Sequence, residues 1–399
     1  MRPLFQRVAF GLIAFCWTSV GHAQNESDER ALITVQDGVR ISKDPLFLMN
    51  FRFRMQNRLG YTSVSGEDLS AGIVDARVRR LRLRLDGYVK DKRLRYYIQL
   101  NFSRADLDQE SEGIAQPVRD AMVYYHATEN VYFGFGQSKL PGNRERVVSS
   151  GNLQFPDRSI ANSTYTLDRD FGVFGYWTIP FAAQQVQLKA ALSSGDGRGA
   201  ASGNSGMAYT GRLEWLPFGK FTNNGDYSEG DLEFEPKPKV SFGATYSFND
   251  RAMRTGGQLG KPLYAPRDMH TSIADAMVKY RGWAMLAEYF DRRCDDPITI
   301  NALDDVRLIR TGTGFNGQLS RVLKSQLEFA LRYTRITPDA RISKDRSTTE
   351  EMLLGATRYL NGHRIKLQCY TGYRWLKGNM ATDGPGNSWT ALFQVEFGI

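Results

Sequence analysis

The chain of 399 residues is 41% hydrophobic and 24% charged, and its 52 Lys and Arg against 43 Asp and Glu leave a formal net charge of +9. A mean hydropathy of -0.43 is too polar for a bundle of membrane-spanning helices. The apolar and aromatic content is too high for a disordered chain.

Residues 1–23 read as a secretory signal peptide. Arg2 and Arg7 precede an uncharged stretch from Val8 to Val20, and the small residues Gly21 and Ala23 occupy the positions that a signal peptidase reads, just before the expected cleavage. The bulky Phe15 before Cys16 argues against a lipoprotein. Beyond Val20 no run approaches the ~20 apolar residues of a spanning helix. Residues 24–45 form a short polar lead-in, and 46–399 read as one domain.

Alternation with period two begins at Leu46 to Arg58, where Phe51, Phe53 and Met55 share one face and Asn50, Arg52, Arg54, Gln56 and Arg58 the other. From Arg79 to Tyr88, Leu81, Leu83 and Leu85 oppose Arg80, Arg82, Arg84 and Asp86. From Arg93 to Ser103, Leu94, Tyr96, Ile98 and Leu100 oppose Arg95, Tyr97, Gln99 and Asn101. A helical period would scatter these arginines around a cylinder instead of segregating them. The same dyad recurs at 131–135, 186–192, 240–248, 327–333 and 365–369.

Short turn signals, including Asn249-Asp250 and Asn361-Gly362, alternate with longer polar segments at 139–165, 193–206, 221–237, 249–271, 293–310, 338–347 and 377–387. The polar faces are too charged for a sandwich interior. One hairpin per roughly 45 residues predicts a transmembrane antiparallel β-barrel of about sixteen strands, with tight turns at one end, long loops at the other, and a lumen wide enough for water. The chain ends on a strand, with Trp389, Phe393, Val395 and Phe397 on one face, as closure against the first strand requires.

Four strings, Asn50 to Arg58, Asp75 to Arg84, Gly134 to Gly142 and Leu167 to Gly172, resemble the phosphate-selective porin O and P family. The resemblance implies a trimeric, sixteen-stranded porin in the outer membrane of a Gram-negative bacterium, with an inward-folded constriction loop after the fifth strand and basic residues along an anion path. Carried onto this chain, the constriction loop would supply Lys139, Arg144, Arg146 and Arg158. The wall would supply Arg52, Arg54, Arg58, Arg80, Arg82 and Arg84, with small anions such as phosphate as partners.

Arginine suits that role because its guanidinium stays charged and presents a planar fork of donors to oxyanions. Rows at every second position let an ion exchange partners without being trapped. Some of these arginines are expected merely to neutralise Asp86, Glu214, Glu288 or Glu328 across the wall. Gly134 and Gly136 are expected to let the inward loop lie close. The three histidines after the leader have no metal-ligand or nucleophile partners at useful spacing, so no catalytic residue, metal site or cofactor is expected. The signal peptide argues against a nucleic-acid role for the basic surface. A general diffusion porin, or a structural or adhesive outer-membrane barrel without phosphate selectivity, is the alternative.

Overall fold

Alternating sequences become strands here because each strand has two different solvents to satisfy. The computed structural model describes residues 31–35, 38–103, 116–200, 206–344, 346–378 and 386–399. The leader expected at 1–23 lies outside them.

Two short strands, β1 (Leu32–Val35) and β2 (Val39–Lys43), precede β3 (Phe47–Ser63), β4 (Ala71–Val89), β5 (Leu94–Asn101) and β6 (Val118–His126). They are followed by β7 (Val131–Lys139), β8 (Arg169–Phe181), β9 (Gln184–Ser193), β10 (Ala208–Leu216), β11 (Lys239–Arg254), β12 (Pro262–Tyr280) and β13 (Trp283–Arg293). A small hairpin, β14 (Ile298–Ile300) with β15 (Val306–Leu308), sits in a loop. The chain then runs through β16 (Gly312–Val322), β17 (Leu327–Pro338), β18 (Thr348–Asn361), β19 (Ile365–Lys377) and β20 (Ser388–Gly398).

Each barrel strand pairs antiparallel with the next, and β20 returns to β3, with Phe397 opposite Met55 and Gln394 opposite Arg58. The result is a closed barrel of sixteen strands, β3–β13 and β16–β20. Closure leaves no edge of unpaired backbone groups, the condition for a sheet to sit in lipid. Apolar side chains such as Phe133, Trp177, Phe242, Phe329 and Phe393 are exposed on the outside, while polar residues face in. The described residues contain no helix long and apolar enough to cross a membrane.

Three sequence expectations are corrected. The described part of 24–45 is more than a lead-in, because β1 and β2 pair antiparallel and β2 pairs with the start of β3. Asn249-Asp250 is not a turn: β11 runs through it with a register shift between Asn249 and Ala252, so only 255–261 connects β11 to β12. The segment around 221–237 belongs to the turn end of the barrel. Among the described residues, the other connections at that end are two to four residues long, whereas 217–238 joins β10 to β11.

Candidate functional site

The first two long barrel strands pair so that like meets like. Arg52 lies opposite Arg84, Arg54 opposite Arg82 and Gln56 opposite Arg80. Like charges directly across a strand pair are destabilising, and acids only partly offset them. Asp86 lies 4.0 Å from Arg52 and 2.8 Å from Arg84, and Glu396 lies 3.6 Å from Arg54. Arg52 and Arg84 keep about a third of their side-chain surface exposed, at 33% and 39%.

A β-bulge extends the row. Gln56 pairs with Arg80 but Asn57 pairs with Val78, so Arg79 is the extra residue of β4. Strict alternation would send Arg79 out to lipid. The bulge instead brings both Arg79 and Arg80 to Asp157, each at 3.4 Å, beside Arg58 at 2.7 Å. Arg77 and Arg79 were therefore missed by period-two reading, and nothing in the local sequence marks the extra residue.

The segment 140–168, which follows the fifth barrel strand, contains two short helices, Arg144–Val147 and Ile160–Tyr165. Its partners are spread round the ring. Arg54 and Arg82 donate to Ser150 Oγ at 2.8 and 2.7 Å, and Asn143 donates to Glu288 at 3.0 Å. Gln154 donates to Gln318 at 2.6 Å, Arg332 donates to the Asp157 carbonyl at 2.8 Å, and Lys366 donates to the carbonyls of Gly151 and Leu153 at 2.8 and 2.7 Å. Glycines on the wall make room for this segment, though not those expected. A Cβ on Gly355 would come within 2.7 Å of the Phe155 ring, and one on Gly314 within 2.8 Å of Tyr165. Gly134 and Gly136 instead meet residues of the neighbouring strand β6.

The ten sequence-predicted basic residues separate by the cavity they line. Arg52, Arg54, Arg82, Arg84 and Lys139 line a cavity of about 360 Å³ that reaches the turn end near Arg364 and Ile399. Arg58, Arg80 and Arg146 line a second cavity of about 490 Å³ nearer the loop end, with Arg198 and Arg374. Arg158 borders both, as does Arg119, and it also donates to the carbonyls of Glu145 and Val148 at 2.7 and 2.8 Å. Arg144 lines neither: it is fully buried between Glu214 at 3.4 Å and Asp275 at 3.6 Å and donates to Ser241 at 2.7 Å. Among the described residues, the second cavity is lined by ten arginines and three acids. Of the four acids expected to neutralise the rows, Asp86 pairs with Arg52 and Arg84, while Glu214 is met by Arg144, Lys189 and Arg212. Glu288 instead accepts from Asn143, Asn316 and the Glu145 N–H, and Glu328 from Tyr359.

The string around Leu167 to Gly172 has a physical purpose. Arg169 holds Asp120 through two bonds at 2.9 and 3.1 Å. Buried Asp170 accepts from the Ser193 and Ser194 hydroxyls and from the Gly195 and Gly197 N–H groups, so one carboxylate organises the β9–β10 loop.

The connection 217–238 meets 140–168. Glu229 N–H donates to the Asn152 carbonyl at 2.8 Å, and Gln154 N–H donates to Glu229 Oε2 at 2.9 Å. Lys279 clamps it from the wall by donating to the carbonyls of Gly225 and Ser228 at 2.7 and 3.0 Å. Sequence reading placed this segment among the long loops and had no signal for its end of the barrel.

Residues 51–229 match the phosphate-selective porin O and P family. No curated protein sequence matches the chain. Among solved structures, the anion-selective porin from Comamonas acidovorans is similar at 11% identity, covering 88% of this chain and 100% of that one with a TM-score of 0.54. OmpF of Salmonella typhi, solved with daunomycin, is similar at 14% identity over 90% of this chain and 100% of that one, TM-score 0.54. A trimer form of OmpT from Vibrio cholerae is similar at 11% identity, 89% and 100% coverage and TM-score 0.52. The porin match and the barrel together make this an outer-membrane channel protein of the Gram-negative type.

Proposed function

We propose that this porin gives passive, anion-favouring diffusion of small solutes, phosphate among them, through an arginine-lined lumen. The observation that carries the reading is the cross-strand facing of Arg52 with Arg84 and Arg54 with Arg82. Stability alone disfavours that arrangement, whereas a hydrated anion gains from it, since weakly screened charges on low-dielectric walls raise the local anion concentration.

Segment 140–168 crosses the lumen and narrows it, and the spread of its bonds round a closed ring supports this. The proposed solute path runs between that segment and the β3–β6 wall, where Arg119 and Arg158 border both cavities. Arg144 anchors the segment and does not meet solute. The charged residues form rows along a wall, an arrangement that favours a channel. A homotrimer with a mature chain starting at Gln24 completes the proposal.

Single-channel recording of refolded protein in a potassium chloride gradient tests the central claim. A reversal potential on the chloride side, with chloride current blocked by added phosphate, is expected. Equal passage of both ions with no phosphate block would reduce the function to general diffusion or a structural barrel. Mass spectrometry of membrane-extracted protein should show residues 1–23 missing.

A further inference from the structure

The β5–β8 wall carries a feature that an inorganic anion does not use. Tyr97, Tyr124, Tyr132 and Tyr176 stand on the inward face of four successive strands, each partly exposed. Tyr132 and Tyr176 stack with ring centroids 4.4 Å apart and 12° between planes, and His126 stacks on Tyr132 at 4.9 Å and 19°. Tyr124 meets Tyr132 edge-on at 6.0 Å. The Arg84 guanidinium lies 4.7 Å over the Tyr97 ring. Tyr97 and Tyr124 line the turn-end cavity together with Arg52, Arg54, Arg82 and Arg84.

The backbone accommodates this wall. Gly134 pairs with Tyr124 across β6 and β7, and a Cβ there would lie 3.0 Å from the Tyr124 ring and 2.6 Å from Met122 Cε. The ring therefore lies down over the strand, which a larger residue would prevent. An interfacial aromatic belt would point its rings to lipid; these point to the water-filled side, where partly exposed rings gain nothing from solvent.

We propose that the turn-end chamber selects small organic anions that carry an aromatic ring, an aromatic carboxylate being the simplest. The carboxylate engages the guanidinium forks of Arg52, Arg54, Arg82 and Arg84 while the ring slides along Tyr97 and Tyr124 toward the Tyr132–Tyr176 stack. This rests on the anion-path reading above and adds the solute's body to its charge. Arginine forks bind oxyanions of any kind, so the discrimination comes from ring stacking, which adds a modest increment per contact.

Block of chloride current by benzoate and by acetate, at matched ionic strength, separates the two claims. Benzoate is expected to half-block at a concentration roughly two- to tenfold below acetate. The double variant Tyr97→Leu, Tyr124→Leu should bring the benzoate-to-acetate ratio close to one, and Tyr97→Phe, Tyr124→Phe should keep it. Loss of the folded band on unboiled gels would identify a Leu variant that failed to assemble, in which case the wild-type ratio decides. Equal block by benzoate and acetate in a pore that still prefers chloride overturns the aromatic inference alone. A pore with no chloride preference and no block by either acid overturns the anion-path reading, and this inference with it.

Discussion

Opposite halves of one barrel use the same alternating code to different ends. On β3 and β4 the inward arginines border cavities; Arg58, Arg80 and Arg82 are themselves buried, while Arg52 and Arg84 keep about a third or more of their side chains exposed. On β11–β19 several inward groups are instead bonded to segment 140–168. Lys366 is fully buried against two carbonyls of 140–168, and Arg292 donates to the carbonyls of Thr164, Tyr165 and Thr166. A buried cation with its donors occupied by backbone is a fastener; a cation with about a third of its side chain exposed opposite another cation is the kind that the proposed anion path would use. Alternation identifies the face that leaves lipid and is silent on whether that face meets water.

Four experiments break or sharpen this contrast. The largest effect is expected from replacing residues 143–165 with a short Gly-Ser linker, which uncovers the fastened wall: single-channel conductance should rise several-fold and ion selectivity should fall. Next, Arg144→Ala leaves Glu214 and Asp275 buried with one cation fewer, and stability should drop by about 3–5 kcal/mol, read as a lower temperature of unfolding on gels. On the open wall Arg84→Ala should cost about 0–1 kcal/mol. If both substitutions cost the same, the division into fasteners and path residues fails.

A third experiment addresses the open wall alone. Arg52→Glu with Arg54→Glu should move the reversal potential toward cations and weaken phosphate block. The smallest effect concerns Glu229, whose carboxyl is pushed well above its ordinary range by burial and by nearby Glu145. A carboxyl raised in the folded state contributes its stability below the ordinary value and loses it as pH rises through the raised one. Charging buried Glu229 beside Glu145 should therefore loosen the packing of 217–238 against 140–168 under alkaline conditions, despite the Gln154 N–H bond to its carboxyl, seen as noisier current. Glu229→Gln should remove that pH dependence, and a variant as noisy as the wild type at high pH would assign the effect elsewhere.

Alternation alone determined most of the scaffold of this protein. The alternating strands from Phe47 onward and the faces of Arg52, Arg54, Arg80, Arg82 and Arg84 follow from the period-two pattern, because a side chain's face in a strand depends only on its neighbours in sequence. The resemblance to a family added the segment after the fifth strand. What the tertiary structure decided is which charges stay open. The bulge at Arg79, the side of the barrel from which 217–238 departs, the burial of Arg144 and the shelter that Gly355 gives Phe155 all depend on groups scores of residues apart or more, brought together only when the ring closes. A local pattern carries no information about a partner that distant, so which inward cations are bonded to segment 140–168 and which border a cavity is settled only in the closed barrel.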